Sequence, residues 1–247
     1  MLDKSALQYT KSANTSAEEI ARFDALAEAW WDPNGQYRRV LEFNACRWHV
    51  IERQIRQHFQ EKSLSELSAL DVGCGGGLLC EPLAQLGVAV TGIDASEMSI
   101  RVAQRHAKAS GLSINYRHCL SEVLVDESRQ FDIVMNTEVI EHVPDQAQLI
   151  AECCALLKPG GLLVLATLNR TFKSFLFGIV GAEYVLRLLP VGTHSWKAFV
   201  KPAELQGMIA ENGLTAGAIS GMSFNPFTSK WRTSSDTSVN YLLFAAK

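Results

Sequence analysis

Leu70-Asp71-Val72-Gly73-Cys74-Gly75-Gly76-Gly77 runs from a short apolar strand through a carboxylate into a glycine-rich turn, directly before a helical pattern that starts at Leu78. A turn of this kind admits positive φ and lets a ligand pass close to the backbone, and the helix behind it offers N–H groups that have no intrahelical partner. Glycine density alone is a weak signal. It gains force from Asp94, which ends the next apolar run about 20 residues later, where an acid can accept both hydroxyls of a ribose. A dinucleotide does not suit the spacing. The third glycine of Gly-x-Gly-x-x-Gly would fall on Leu78 counted from Gly73, or on Cys80 counted from Gly75. Asp71 gives nothing to a pyrophosphate but would serve a cationic amino group, so the loop fits an amino-acid-bearing nucleoside. A turn needed only for helix–strand packing is the plain alternative.

Outward from this loop, short apolar runs alternate with helical segments, the pattern of a parallel sheet with crossover helices. Strands are expected at 69–73, 88–93, 114–117, 131–136 and 162–167, and two more near 214–220 and 239–245. The helices between them stop at Gly87, Gly111, Pro159-Gly160-Gly161 and Asn212-Gly213. Upstream, Thr15 and Ser16 precede Glu18 and Glu19 at capping-box spacing, and Ile20, Phe23, Leu26, Ala27 and Trp30 then recur at helical intervals, predicting a helix over about 16–30. After the turn residues Asp32-Pro33-Asn34-Gly35, a second stripe runs from Val40 to Phe59. The fold expected is α/β, a doubly wound, mostly parallel, Rossmann-like sheet of seven strands. Residues 1–62 form a helical preface, and 63–247 form the main domain with a helical insertion at 170–200.

Composition is that of a globular domain: 247 residues, 47% hydrophobic, 20% charged and a net charge of −3. No dense Lys/Arg run supplies the footprint of a nucleic-acid binder, so no nucleic-acid partner is expected. The six cysteines, at 46, 74, 80, 119, 153 and 154, form no CxxC pair and suit reduced thiols in the cytoplasm. The first sixteen residues lack the apolar core of a signal peptide, and no apolar run reaches the roughly 20 residues of a spanning helix.

Asp71 to Gly77 and Thr91-Gly92-Ile93-Asp94 resemble the first two motifs of class I S-adenosylmethionine methyltransferases, and Lys158-Pro159-Gly160-Gly161 resembles their later turn. A narrower resemblance rests on Arg22-Phe23, Trp30-Trp31-Asp32, Asn44, Arg47, Glu138, Glu141-His142-Val143-Pro144, Thr167-Leu168-Asn169-Arg170, Gly181-Ala182-Glu183-Tyr184, Lys201-Pro202-Ala203-Glu204-Leu205 and Val239-Asn240-Tyr241. On these the chain is identified as a member of the ubiquinone-biosynthesis O-methyltransferases, from about residue 20 to the C-terminal strand. The resemblance implies methylation of phenolic hydroxyls of polyprenyl intermediates, 2-polyprenyl-6-hydroxyphenol and 3-demethylubiquinol. It implies S-adenosyl-L-methionine as cofactor, with S-adenosyl-L-homocysteine as product. It also implies cofactor contacts at Arg47, Gly73, Asp94 and Thr137, beside those read at Asp71, Gly75 and Gly77. An Arg fork matches the cofactor's carboxylate.

Methyl transfer from a sulfonium to oxygen needs the reactants in line and the acceptor hydroxyl deprotonated. Phenols titrate near 10, roughly three units above neutrality, so a base or a metal is useful. Glu138, Glu141 and His142 follow the strand 131–136 at its carboxyl end, where open α/β sheets place ligands. Three readings are open: the three side chains hold a hard divalent cation such as Mg2+ that lowers the phenol's pKa, His142 acts as a metal-free base, or the segment only ends a strand. Between Asn169 and Pro202 an apolar stretch carries Phe172, Phe175, Leu176, Phe177, Ile179, Val180, Tyr184, Val185, Leu188 and Leu189, flanked by Arg170, Lys173 and Arg187. It suits a helix lying on anionic phospholipid, a lid over the active site, or both, with the protein peripheral on the inner face of the membrane. Other ubiquinone-biosynthesis proteins are implied partners. The competing functions are a nucleotide-dependent oxidoreductase, a non-catalytic lipid-binding subunit, and a methyltransferase of another small phenol.

Overall fold

The structure, a computed structural model, describes residues 14–35, 38–176, 195–225 and 228–247. Gly181-Ala182-Glu183-Tyr184, Arg187, His194 and the apolar stretch from Phe177 to Leu189 lie outside the described residues.

Strands β1 (Ser68–Val72), β2 (Ala89–Asp94), β3 (Asn115–His118), β4 (Phe131–Thr137), β5 (Leu157–Leu168), β6 (Thr215–Asn225), β7 (Lys230–Ser234) and β8 (Asn240–Ala246) form one sheet in the order β3-β2-β1-β4-β5-β8-β6-β7. The first five are parallel, and β8 enters antiparallel between β5 and β6. The sheet thus has eight strands where seven are expected from the sequence. The extra one, β7, is the return arm of a hairpin with β6, registered from Gly221 opposite Ser234 to Asn225 opposite Lys230. Lys-Trp-Arg-Thr-Ser is polar and half exposed, so its alternation carries no core signal.

Successive side chains point to opposite faces of a strand, and the core divides accordingly. Ile133, Met135, Val164 and Leu242 pack on one face, under α2 (Arg38–His58), α3 (Cys80–Gln85) and α4 (Glu97–Ala109). Val134, Leu163, Leu165 and Leu243 pack on the other, under α5 (Ser121–Asp126), α6 (Gln146–Ala155) and α8 (Pro202–Glu211). Both faces of the central strands are covered, which is why they read as continuous apolar runs. The expected helix stops at Gly87, Gly111 and Gly213 fall where predicted, each at positive φ. The stop at 158–161 differs. Leu157 already pairs with Phe131, and the next pair is Ile133 with Leu162, so the four residues between form a bulge inside β5, anchored by Lys158 Nζ on Asp132 at 2.8 Å.

The helix expected over 16–30 is α1 (Ala17–Leu26) followed by a 3-10 turn at Ala27–Ala29. Ser16 caps it by accepting from Glu19 N–H. Three ties bind α1 and its cap to the main domain. Asn14 exchanges two hydrogen bonds with the Asp145 backbone, at 2.7 and 2.9 Å. Ser96 donates to buried Asp24 at 2.5 Å. Glu19 reaches His142. In the stretch after β5, α7 (Phe172–Ser174) is a single turn capped by Thr171, with Phe172, Phe175 and Leu176 exposed.

Candidate active site

The strand order reverses direction between β1 and β4, with β2 on the far side of β1, and the carboxyl ends of neighbouring strands diverge there. A cavity of about 1040 Å3 opens at that point. It runs from the glycine loop and Asp94, past Thr137, Glu138 and His142, to Phe43, Phe224 and Trp231.

The loop is held open by glycines that nothing larger can replace. Gly73 sits at φ +74, and a Cβ there would lie 2.3 Å from Val139 Cγ2. Gly77, at φ +85, would meet the Tyr116 hydroxyl at 2.2 Å. Gly73 and Cys74 both donate to Ile93 O, at 2.8 and 2.9 Å, locking the turn against β2. Gly75 N–H donates to Asp94 Oδ2 at 2.8 Å, and Ser96 N–H to Asp94 Oδ1 at 2.7 Å. A carboxylate has about four lone-pair sites, so Asp94 keeps capacity for two more donors. Burial pushes its pKa up, against these two hydrogen bonds.

Asp71 is buried below the loop. Cys80 Sγ donates to Oδ2 at 3.3 Å, while Oδ1 is buried with no hydrogen-bond partner. Burial pushes the Asp71 carboxyl up to about 6, although Cys80 and the nearby Arg47 both pull it down. Arg47, from α2, is 4% exposed. Its guanidinium donates to Glu138 Oε1 at 2.9 Å and to Asn44 Oδ1, and its Cζ lies 5.2 Å from the centre of the Phe43 ring. Its Nε is buried without a partner. A buried acid oxygen and a buried guanidine N–H, both without partners, thus lie beside one cavity. Such groups are costly to leave unpaired, at about 1–3 kcal/mol each, which points to a ligand that pairs them.

The proposed chemical centre is differently arranged from the cation-binding reading. Glu138, at the end of β4, takes φ +58 and faces Arg47. Glu141 is buried and accepts from Thr167 Oγ1 at 2.8 Å, with Oε1 unpartnered. His142 Nδ1 lies 2.8 Å from Glu19 Oε2 and its ring meets Phe23 edge-on at 5.2 Å. The three side chains serve three different partners. Among the described residues, no group of three His, Cys, Asp or Glu is placed to hold a metal ion. The grouping predicted from sequence proximity is not formed, because residues 140–142 make a 3-10 turn that sends Glu141 toward β5 and His142 toward α1. Burial would lower the His142 pKa, but its hydrogen bond to Glu19 and the charges of Glu141, Glu19 and Glu138 outweigh that, and the net direction is up.

Several groups at the site carry no role in the sequence reading. Asn44 sits one helical turn before Arg47, an i,i+3 spacing that could have suggested the pair. Cys80 could not be tied to Asp71 without knowing how the loop folds back. Trp31 Nε1 donates to Gly76 O at 2.8 Å, and Trp30 covers Gly75 and Gly76, so the N-terminal segment roofs the glycine loop.

A family model described as Methyltransferase domain matches residues 70–165. Among solved structures, magnesium protoporphyrin IX methyltransferase from Synechocystis PCC 6803 with bound SAH superposes with a TM-score of 0.65 at 20% identity, covering 93% of this chain and 99% of that one. The PH0226 protein from Pyrococcus horikoshii OT3 gives 0.60 at 19% identity, over 91% and 97%. These establish the fold. Curated relatives go further. "Ubiquinone biosynthesis O-methyltransferase" of Paramagnetospirillum magneticum is 47% identical over 94% of this chain and 95% of its own length. That of Parvibaculum lavamentivorans is 46% identical over 96% of each. At such identity over nearly the whole of both chains, this protein belongs to the ubiquinone biosynthesis O-methyltransferases and is an enzyme of methyl transfer to oxygen.

Proposed function

We propose that the cavity binds S-adenosyl-L-methionine against the glycine loop and presents it to a phenolic hydroxyl of 2-polyprenyl-6-hydroxyphenol or 3-demethylubiquinol near His142. The observation that carries this reading is the pair of unpartnered buried atoms, Asp71 Oδ1 and Arg47 Nε. An amino-acid zwitterion supplies a cation for the first and an anion for the second. Asp94 takes the ribose hydroxyls with its remaining lone pairs, and residues 73–77 and Thr137 enclose the amino-acid portion. Bound there, the cofactor supplies an already activated methyl group. In this reading the preface, residues 1–62, contributes Arg47 and the roof, and residues 63–247 with their insertion at 170–200 contribute the rest.

His142 takes the acceptor's proton. With Nδ1 committed to Glu19, the proton arrives at Nε2. The hydrogen bond to Glu19 and the surrounding carboxylates raise its pKa, which makes it a stronger proton acceptor. Glu141, behind it, contributes negative charge that stabilises the imidazolium formed. A divalent cation does not fit Glu138, Glu141 and His142 as they are placed, since each serves a different partner.

The exposed Phe172, Phe175 and Leu176, with Trp196 close by in the same region, form the described part of the surface proposed to meet the membrane. The basic flank is weaker than its sequence suggests, since Arg170 pairs with Glu204 and Lys173 with Asp236. No helix among the described residues is long and apolar enough to cross a membrane.

The test is to incubate the pure protein with methyl-labelled S-adenosylmethionine and a short-chain demethylubiquinol, with and without chelator. Label in the quinol oxygen is expected, and its absence with intact cofactor binding would reject the acceptor. Loss of turnover in chelator, restored by Mg2+, would require Glu138 and Glu141 to leave Arg47 and Thr167 for the ion.

A further inference from the structure

Arg47 and Glu138 form an ion pair linking the preface to the end of β4, and three features of it are unusual together. The arginine is almost wholly buried, while its partner carboxylate is 30% exposed to the cavity. Glu138 holds φ +58, the left-handed region that a side chain with a Cβ seldom adopts without a local cost. The arginine's Nε, buried, still has no partner, so Glu138 does not complete the fork. A carboxylate that bridged the fork bidentately would do better. We infer that Glu138 is a placeholder: in the ligand-free protein it occupies the seat on Arg47 that the cofactor's carboxylate takes, and cofactor binding displaces it toward the acceptor half of the cavity.

The consequences follow from electrostatics alone. Two carboxylates cannot share one buried arginine edge without repulsion, so Glu138 competes with the cofactor and lowers its affinity. Arg47 otherwise has Asn44 as a neutral acceptor and the Phe43 ring beneath it, neither of which needs to move. Displaced from Arg47, the Glu138 carboxylate loses its counter-charge, so the negative charge it already places near His142 acts more strongly once the methyl donor is in place. Glu138 is thus a positioning residue that makes the acceptor site complete after, and not before, cofactor binding.

This inference rests on the reading that Arg47 takes the cofactor's carboxylate, and the experiment separates the two. Calorimetric titration would use S-adenosylhomocysteine and 5′-methylthioadenosine, which lacks the amino-acid portion, against wild type, Arg47→Lys, Arg47→Ala, Glu138→Gln and Glu138→Gly. Arg47→Ala is expected to weaken S-adenosylhomocysteine at least tenfold and to leave methylthioadenosine unchanged. Arg47→Lys covers the case in which the alanine variant does not fold. Glu138→Gln and Glu138→Gly are expected to tighten S-adenosylhomocysteine about three- to tenfold, again with methylthioadenosine unchanged. If the arginine variants weaken binding but both Glu138 variants bind S-adenosylhomocysteine no more tightly than wild type, the placeholder is refuted and the role of Arg47 stands. If the arginine variants bind it as wild type does, both are refuted.

Discussion

Replacing Asp71 by Asn should stabilise the protein at neutral pH while weakening its hold on the cofactor. Asp71 is buried, and its carboxyl is pushed from 3.8 up to about 6 by desolvation. It is an acid whose folded value lies above its unfolded one. The folded protein therefore binds the extra proton between the two values, and stability falls as pH rises from about 4 to about 6 and is flat beyond. Above that window the ionised group costs about 3 kcal/mol, from the size of the rise. Asn keeps the shape without the charge. At about pH 7.5 the Asp71→Asn variant should gain up to 3 kcal/mol, or about 6–12 °C in melting temperature for a chain of this length. At about pH 4.5 the gain should shrink to about 1 kcal/mol, because the wild-type acid is then largely protonated in the fold. Scanning calorimetry at the two pH values checks this, with S-adenosylhomocysteine titrated at the higher one. The cofactor's ammonium would lose its counter-charge in the variant, so the wild type should be the more stabilised by ligand. A variant no more stable than wild type at pH 7.5, or a gain equal at both pH values, would refute the assignment of Asp71 as a strained, uncompensated charge.

Asp94→Ala removes two acceptors for ribose hydroxyls and should weaken S-adenosylhomocysteine about a hundredfold, or about 3 kcal/mol, by calorimetric titration. Gly73→Ala places a methyl 2.3 Å from Val139 at φ +74 and should cost about 2–4 kcal/mol in chemical denaturation, with loss of cofactor binding. Phe172→Ser with Phe175→Ser should reduce sedimentation with anionic liposomes, each ring contributing about 1.5–3 kcal/mol when buried in lipid. Since Arg170 and Lys173 are already paired, salt should matter little; strong salt dependence or undiminished sedimentation would count against the apolar contact.

The fold was legible in the sequence wherever burial imposed a pattern. β1, β2, β4 and β5 lie between two helical layers, and helices stop at Gly87, Gly111 and Gly213, each at positive φ. β7 escaped because an edge strand with one polar face needs no apolar alternation. The bulge at 158–161 escaped because Pro-Gly-Gly marks a turn equally well at the end of a helix or within a strand. At the site, the loop and Asp94 were legible since backbone geometry restricts them to glycine and a short acid. Their mutual hydrogen bond, Gly75 to Asp94, joins residues 19 apart and is implied by two adjacent parallel strands. The Glu141–Thr167 bond and the Glu19–His142 contact were not legible. They join residues 26 and 123 apart, and nothing local distinguishes Glu19 from an ordinary residue in the first turn of a helix.

That last contact reaches outside the methyltransferase region. The matched methyltransferase region, residues 70–165, contains the glycine loop, Asp94, Glu138, Glu141 and His142. Apart from Asp94, which Gly75 and Ser96 hold from within it, each of these has a partner from outside. Arg47 reaches Glu138 from α2, Glu19 reaches His142 from α1, Trp31 closes over Gly76, and Thr167 meets Glu141 from the far end of β5. A buried carboxylate or imidazole left without its partner costs more than the net value of the bond it would have made. The minimal domain with these acids and this histidine would therefore be destabilised on its own, and the preface is fixed to it at Asp145, Ser96 and His142 as a consequence. The similarity to the relatives likewise runs beyond residues 70–165, over 94–96% of this chain.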